Sequence, residues 1–216
     1  MISSKQLRIT EIFHSLQGES TTVGLPTVFI RLTGCPLRCQ YCDTAYAFSG
    51  GEIHSIDAIL SQVATYHSKH VCVTGGEPLA QPGCLTLLNE LCNAGYNVSL
   101  ETSGARDISQ VNQRVMIVMD LKTPGSGECE KNLFDNLVHL KSSDQIKFVL
   151  CDRKDYEWAC QIMAEYHLPK RVQVLFSPSW GELNPTTLAE WIIKDKLAVR
   201  FQLQLHKILW GDVPGH

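Results

Sequence analysis

Seven short runs rich in Val, Ile and Phe recur along the chain, and several are apolar without a break. They are TVFIRLT (27–33), HVCVTG (70–75), YNVSLETS (96–103), RVMIVMDL (114–121), DQIKFVL (144–150), RVQVLFS (171–177) and AVRFQLQ (198–204). A strand with one wet face alternates polar and apolar residues, whereas a strand covered on both faces does not. Helical patterns lie between many of these runs. Ser55 stands as an N-cap before an apolar face of Ile56, Ile59, Leu60 and Val63. Leucines at helical spacing follow Pro82 and stop at Gly95, Asp152 can cap the segment after it, and Asn184–Pro185 opens a fourth helix. Strand alternating with helix demands a parallel sheet with crossover helices. The helical signal fails over 104–113 and 122–132, so a complete eightfold barrel does not fit. The expected fold is α/β: a partial, open β/α (TIM-like) barrel of about six strands with a reduced helix complement, as a single domain over residues 1–216.

In such a fold, function gathers at the carboxyl ends of the strands. The polar and glycine-rich segments fall there. GCPLRCQYCDT follows the first buried run, GGEP follows VCVT, ETSG follows NVSL, DLK ends VMIVMD, and SPSW follows VQVLF. Five strand ends are thus expected to share one rim.

The net charge is −3 and Lys and Arg do not cluster, which argues against a nucleic-acid partner. The opening MISSKQLRITEIF does not read as a signal peptide, and no run reaches the roughly 18 apolar residues of a membrane span. No membrane association is expected, and the cytoplasm is the expected location. Nine cysteines, an odd number, argue against a disulfide framework in that setting. Six are scattered, as buried thiols are. Cys35, Cys39 and Cys42 form a compact C-x3-C-x2-C set.

One reading of that set is zinc with a distant fourth ligand, such as His54 or His70. The other is a 4Fe–4S cluster. Four irons each need an outside ligand, so three thiolates leave one iron open to a small molecule. Arg31 is a second anomaly, a charge inside the apolar run VFI-LT. It suits either a structural carboxylate partner or the carboxylate of a substrate.

C-x3-C-x2-C on the loop after an early strand, with an aromatic before the third cysteine and GGEP at 75–78, resembles the radical S-adenosylmethionine (SAM) superfamily. The resemblance implies that Cys35, Cys39 and Cys42 hold the cluster and that its open iron chelates SAM. Gly75, Gly76 and Glu77 would meet the methionine end of SAM, with Ser103 at the next strand end. Asp120 and Lys122 would reach its ribose or carboxylate, and Ser177 and Trp180 its adenine.

The pattern F-x-S-L-Q-G-E, then G-x-P-x-x-F-I-R-L-x-G-C, then C-x-Y-C-D-T-x-Y closely resembles the 7-carboxy-7-deazaguanine synthase family, and the likeness extends to the terminal QLHKILWGDVPGH. It implies a radical SAM lyase that contracts the ring of 6-carboxy-5,6,7,8-tetrahydropterin to 7-carboxy-7-deazaguanine with loss of ammonia, on the route to queuosine and related deazapurines. It implies Mg²⁺ at Thr44, with Asp43 behind it, and a homodimer. A reductant such as flavodoxin or ferredoxin would feed the cluster. The pterin would contact Leu16, Gln17, Gly18, Glu19, Arg31, Thr74 and the chain end at His216. Ser20 and Tyr41 depart from the family's usual glycine and tryptophan. Two alternatives stay open at this point: an activating enzyme that installs a glycyl radical in a protein partner, and a zinc-binding interaction module. Turnover of the free pterin acid separates the first, and metal content the second.

Overall fold

The computed structural model describes residues 5–211 and 213–215. Its centre is a sheet whose two faces do different work. β1 (Gln6–Leu16) pairs antiparallel with β2 (Pro26–Leu32) and with β3 (Glu52–Ser55). From β2 onward every pairing is parallel, through β4 (His70–Gly75), β5 (Asn97–Thr102), β6 (Met116–Asp120), β7 (Gln145–Leu150), β8 (Gln173–Pro178) and β9 (Arg200–Phe201). The order is β3-β1-β2-β4-β5-β6-β7-β8-β9, so β3 and β9 are the edges.

The sheet has nine strands, which corrects the expected six or so. The seven apolar runs became β2 and β4 to β9, although AVRFQLQ supplies only Arg200–Phe201. β1 and β3 are the additions. Both mix polar and apolar residues because both are partly exposed.

Helices α1 (Ile56–Ala64), α2 (Cys84–Asn93), α3 (Arg153–Glu165) and α4 (Pro185–Lys194) form crossovers, and a short α5 (Leu205–Trp210) follows β9. The expected caps are in place. Ser55 Oγ accepts from Ala58 N, Asp152 from Asp155 N, and Asn184 from Thr186 N and Thr187 N. The stretches where the helical signal failed carry no α-helix; short 3₁₀ turns occupy 124–139. No described helix is long and apolar enough to cross a membrane.

Side chains alternate across a strand. On β2, Val28, Ile30 and Leu32 join the core against the helices, along with Val71 and Val73 of β4, Leu100 of β5 and Phe148 of β7. The alternate residues Phe29, Arg31, Thr74, Glu101, Asp120 and Lys147 line a cavity of about 320 Å³ on the other face. The fold thus buries one face for stability and turns a charged one to the cavity.

Candidate active site

The cysteine loop leaves β2 at Thr33. Its path is held by backbone groups: Gly34 N donates to Ala47 O at 2.8 Å, Gln40 N to Ser126 O at 3.0 Å, and Cys42 N to Cys39 O at 3.2 Å. Arg38 closes it by donating to the carbonyls of Cys35 and Leu37. Cys35, Cys39 and Cys42 are free thiols of intermediate exposure, and all three line the cavity. Burial pushes the Cys39 thiol up to about 11 and raises Cys35 as well. Thiols of that kind become thiolates when a metal displaces the proton. Among the described residues, no three His, Cys, Asp or Glu side chains gather round one point as ligands of a single ion would. Three soft donors that line one cavity can serve a multi-iron group that takes one thiolate per iron.

The end of β4 lies directly against this loop. A Cβ on Gly76 would meet Gly34 O at 2.2 Å and Cys35 Cβ at 2.9 Å. Gly76 N and Glu77 N donate to Leu32 O and Gly34 O. The glycine therefore admits the cysteine loop as well as fronting the cavity, which Gly75 also lines.

Glu77 was expected at the methionine end of SAM, but its side chain is fully buried and does not line the cavity. Its carboxylate accepts from Leu79 N at 3.0 Å, Thr102 Oγ1 at 2.9 Å, Ser103 N at 2.8 Å and Ser103 Oγ at 2.6 Å. It ties the loop after β4 to the loop after β5. Glu77→Ala would strand those donors in the interior, so a loss of ~3 kcal/mol is expected. A thermal melt should show this as a drop of about 6–12 °C for a chain of this size; an unchanged melting temperature would contradict the assignment.

Four charges alternate across the cavity floor. Lys122 Nζ lies 3.1 Å from Asp120 Oδ2, Lys147 Nζ lies 3.5 Å from the same oxygen, and Lys147 Nζ lies 2.5 Å from Glu19 Oε2. Parallel register places Asp120 beside Lys147 and Arg31 beside Thr74. Burial alone would lower the Lys147 ammonium, but Glu19, Asp120 and Glu101 lift it well above its ordinary value. Burial alone would raise the Glu19 carboxyl; Lys147, His206 and Gln204 outweigh it and hold it below its usual range. Arg31 donates Nε to Glu11 at 2.7 Å, with its guanidinium 5.7 Å from the Phe13 ring centre and 5.8 Å from that of Tyr46. Among the described residues, Glu11 engages only Nε of the fork, so both anticipated readings of Arg31 have support.

The loop after β1 forms the opposite wall with Leu16, Gln17, Gly18 and Glu19. Gln17 Nε2 reaches Glu101 Oε1 at 3.3 Å, and Thr74 Oγ1 donates to Glu101 Oε2 at 3.0 Å. A Cβ on Gly18 would fall 2.1 Å from His206 Nδ1, so glycine makes room here for the imidazole that α5 carries. Leu205 N donates to Gly18 O at 3.0 Å, and Gln204 Nε2 to Glu19 Oε1 at 3.0 Å. Thr44 donates its hydroxyl to Asp43 Oδ1 at 2.8 Å, and Lys207 Nζ lies 3.6 Å from Asp43.

Of the remaining expected residues, Ser103 and Trp180 line the cavity. Ser177 does not; it is 1% exposed, its hydroxyl is buried with no partner among the described residues, and Ser179 lines the wall instead. His216 lies outside the described residues. Glu101, Lys147, Gln204 and His206 were not anticipated. Lys147 carried a usable signal, since it breaks an apolar run as Arg31 does. Two buried polar atoms on residues of the wall, Asp120 Oδ1 and the Tyr41 hydroxyl, have no partner among the described residues. An acceptor and a donor left so are what a polar ligand would satisfy.

Comparison with known proteins agrees with this geometry. A family model described as the Radical SAM superfamily matches residues 29–117. The 7-carboxy-7-deazaguanine synthase of Chlorobaculum tepidum is 41% identical over 214 residues, covering 98% of this chain and 97% of its own. The protein of that name from Thermoplasma acidophilum is 38% identical over 209 residues, covering 96% and 99%. Among solved structures, the crystal structure of QueE from Escherichia coli matches with a TM-score of 0.77 at 26% identity, over 93% of this chain and 95% of that one.

Proposed function

Since the chain belongs to the 7-carboxy-7-deazaguanine synthase family of radical SAM enzymes, we propose that its cavity converts 6-carboxy-5,6,7,8-tetrahydropterin to 7-carboxy-7-deazaguanine and ammonia. The observation that carries this reading is that one cavity joins the three free thiols to a row of charges suited to a pterin acid. The overall change is redox-neutral: a ring contracts, a C–N bond breaks and ammonia leaves.

The donor set fits the implied groups. Cys35, Cys39 and Cys42 would hold a 4Fe–4S cluster, and Asp120 Oδ1 and the Tyr41 hydroxyl are acceptor and donor for SAM. Gly75, Gly76, Ser103, Lys122 and Trp180 complete that wall, while Ser177 supports it from behind. Cluster and SAM, when bound, supply the one-electron chemistry that starts the rearrangement. What the protein adds is position and shielding. The free nitrogens of Arg31 can take the substrate carboxylate, and Glu19 can accept the paired N–H edge of the pterin. Gln17 and Thr74, both held by Glu101, bracket the ring. Thr44 donates its hydroxyl hydrogen bond to Asp43, which leaves hydroxyl lone pairs for a hard cation, and we assign Mg²⁺ there. The finer fold reading is an open partial barrel, since the loop after β1 reaches over to β7, where Thr21 N bonds Gln145 Oε1 at 2.9 Å. We read the working form as a cytoplasmic homodimer supplied by a flavodoxin- or ferredoxin-like donor.

Anaerobic reconstitution with iron and sulfide, then SAM, dithionite, Mg²⁺ and the carboxypterin, tests the activity. Deazaguanine acid and ammonia in equal amounts are expected, and omission of Mg²⁺ should slow turnover. Intact pterin beside active SAM cleavage would refute the substrate assignment.

A further inference from the structure

Lys147 stands in the middle of the charge row, and the reading above gives it no contact with substrate or cofactor. It projects from β7 into the cavity at 12% side-chain exposure. Glu19, its closest partner, comes from a loop 128 residues earlier. Asp120, its other partner, is shared with Lys122, whose ammonium lies 5.7 Å from the centre of the Tyr41 ring in the cysteine loop. The series Lys122, Asp120, Lys147, Glu19 therefore runs from the thiol-bearing wall to the wall formed by the loop after β1.

Two residues before Lys147 and on the same face, Gln145 grips that loop independently. It accepts from Thr21 N at 2.9 Å and donates to Thr21 Oγ1 at 2.8 Å. Docking of the loop thus has a neutral anchor, and Lys147 is the charged one. Its hydrogen bond ends on a carboxylate that lines the cavity, where the angle and charge of Glu19 decide what it can accept. Gln204 fixes the other oxygen of Glu19, so the carboxylate is held from two sides.

We propose that Lys147 is a positioning residue that holds the Glu19 carboxylate aimed at the paired N–H edge of the pterin. This rests on the substrate reading given above. A ring edge presenting two adjacent N–H donors is the chemistry such a fixed carboxylate selects.

The test compares reconstituted Lys147→Met, Lys147→Arg, Glu19→Gln and the Glu19→Gln/Lys147→Met double variant, measuring KM and kcat for the carboxypterin, iron content, and 5′-deoxyadenosine formed without pterin. Lys147→Met should raise KM by ~30-fold with kcat within ~3-fold, because a ground-state contact is lost. Its iron content should match the wild type, and pterin-free SAM cleavage should fall far less than the affinity for the pterin. Lys147→Arg should recover part of the affinity. The double variant should be no worse than Lys147→Met to within ~3-fold, since both changes break one contact. If Lys147→Met folds poorly, the double variant against Glu19→Gln carries the comparison, with no stranded Glu19 charge in either. A wild-type KM in Lys147→Met, a fall in kcat alone, or fully additive losses would overturn the inference while leaving the substrate reading intact. A wild-type protein that consumes no carboxypterin would overturn both.

Discussion

Cys39→Ala is expected to abolish SAM cleavage, lowering 5′-deoxyadenosine formation by at least ~10³-fold, because the cofactor and not the protein performs the difficult step. The expectation is sharp because the loop does not depend on the thiol for its shape. Its hydrogen bonds run from Gln40 N to Ser126 O, from Cys42 N to Cys39 O, and from Arg38 to two carbonyls. Truncation at Cβ leaves all of these in place, so the protein should melt within ~1 kcal/mol of the wild type. Anaerobic absorbance and iron analysis should then show a folded protein that no longer retains a full cluster. Cys160→Ala, on α3 and away from the cavity, should keep wild-type iron and activity. A Cys39→Ala protein that still cleaves SAM would defeat the ligand assignment, and stoichiometric zinc in place of iron in the wild type would defeat the cluster.

Arg31→Met should raise KM for the carboxypterin by ~10²–10³-fold, the scale of a lost charge-assisted fork in a site shielded from water. Part of that loss belongs to Glu11, which would be left without the 2.7 Å bond from Arg31 Nε. Glu11 keeps one donor, the Tyr46 hydroxyl at 2.8 Å, which limits this share. Arg31→Lys should rescue poorly, because an ammonium cannot serve Glu11 and a substrate carboxylate in one plane and loses the packing between Phe13 and Tyr46. Binding of a pterin that lacks the 6-carboxylate separates the two contributions. If Arg31 reads that group, most of the difference between wild type and Arg31→Met should vanish with the decarboxylated analogue, leaving only the share that belongs to Glu11. An undiminished penalty with the analogue would reduce Arg31 to a structural partner of Glu11.

Much of this architecture is legible in the sequence where the physics is local. Ser55, Asp152 and Asn184 cap helices because a short oxygen-bearing side chain can reach its own helix start. The parallel strands announced themselves because both faces are covered. β1 and β3 did not, since a partly wet antiparallel pair dilutes its apolar pattern with Glu, His and Ser. The site followed the same division. Cysteine spacing and strand-end glycines are short-range signals, and they led to the cavity. Glu77 misled because spacing says nothing of where a carboxylate points, and it turned inward to Thr102 and Ser103. The pairing of Lys147 with Glu19 is a product of tertiary closure and has no trace in either local segment.

The seat of α5 on Gly18 has a consequence for how the enzyme is made. Every strand has left the ribosome before Gln204, Leu205 and His206 emerge, yet these residues fasten the loop that carries Gln17, Gly18 and Glu19. A nascent chain can thus assemble its sheet while that loop is held from β7 alone, by Gln145 and Lys147. The second fastening of that wall comes only when α5 takes its seat, so whatever loosens the short helix also loosens the wall that carries Glu19.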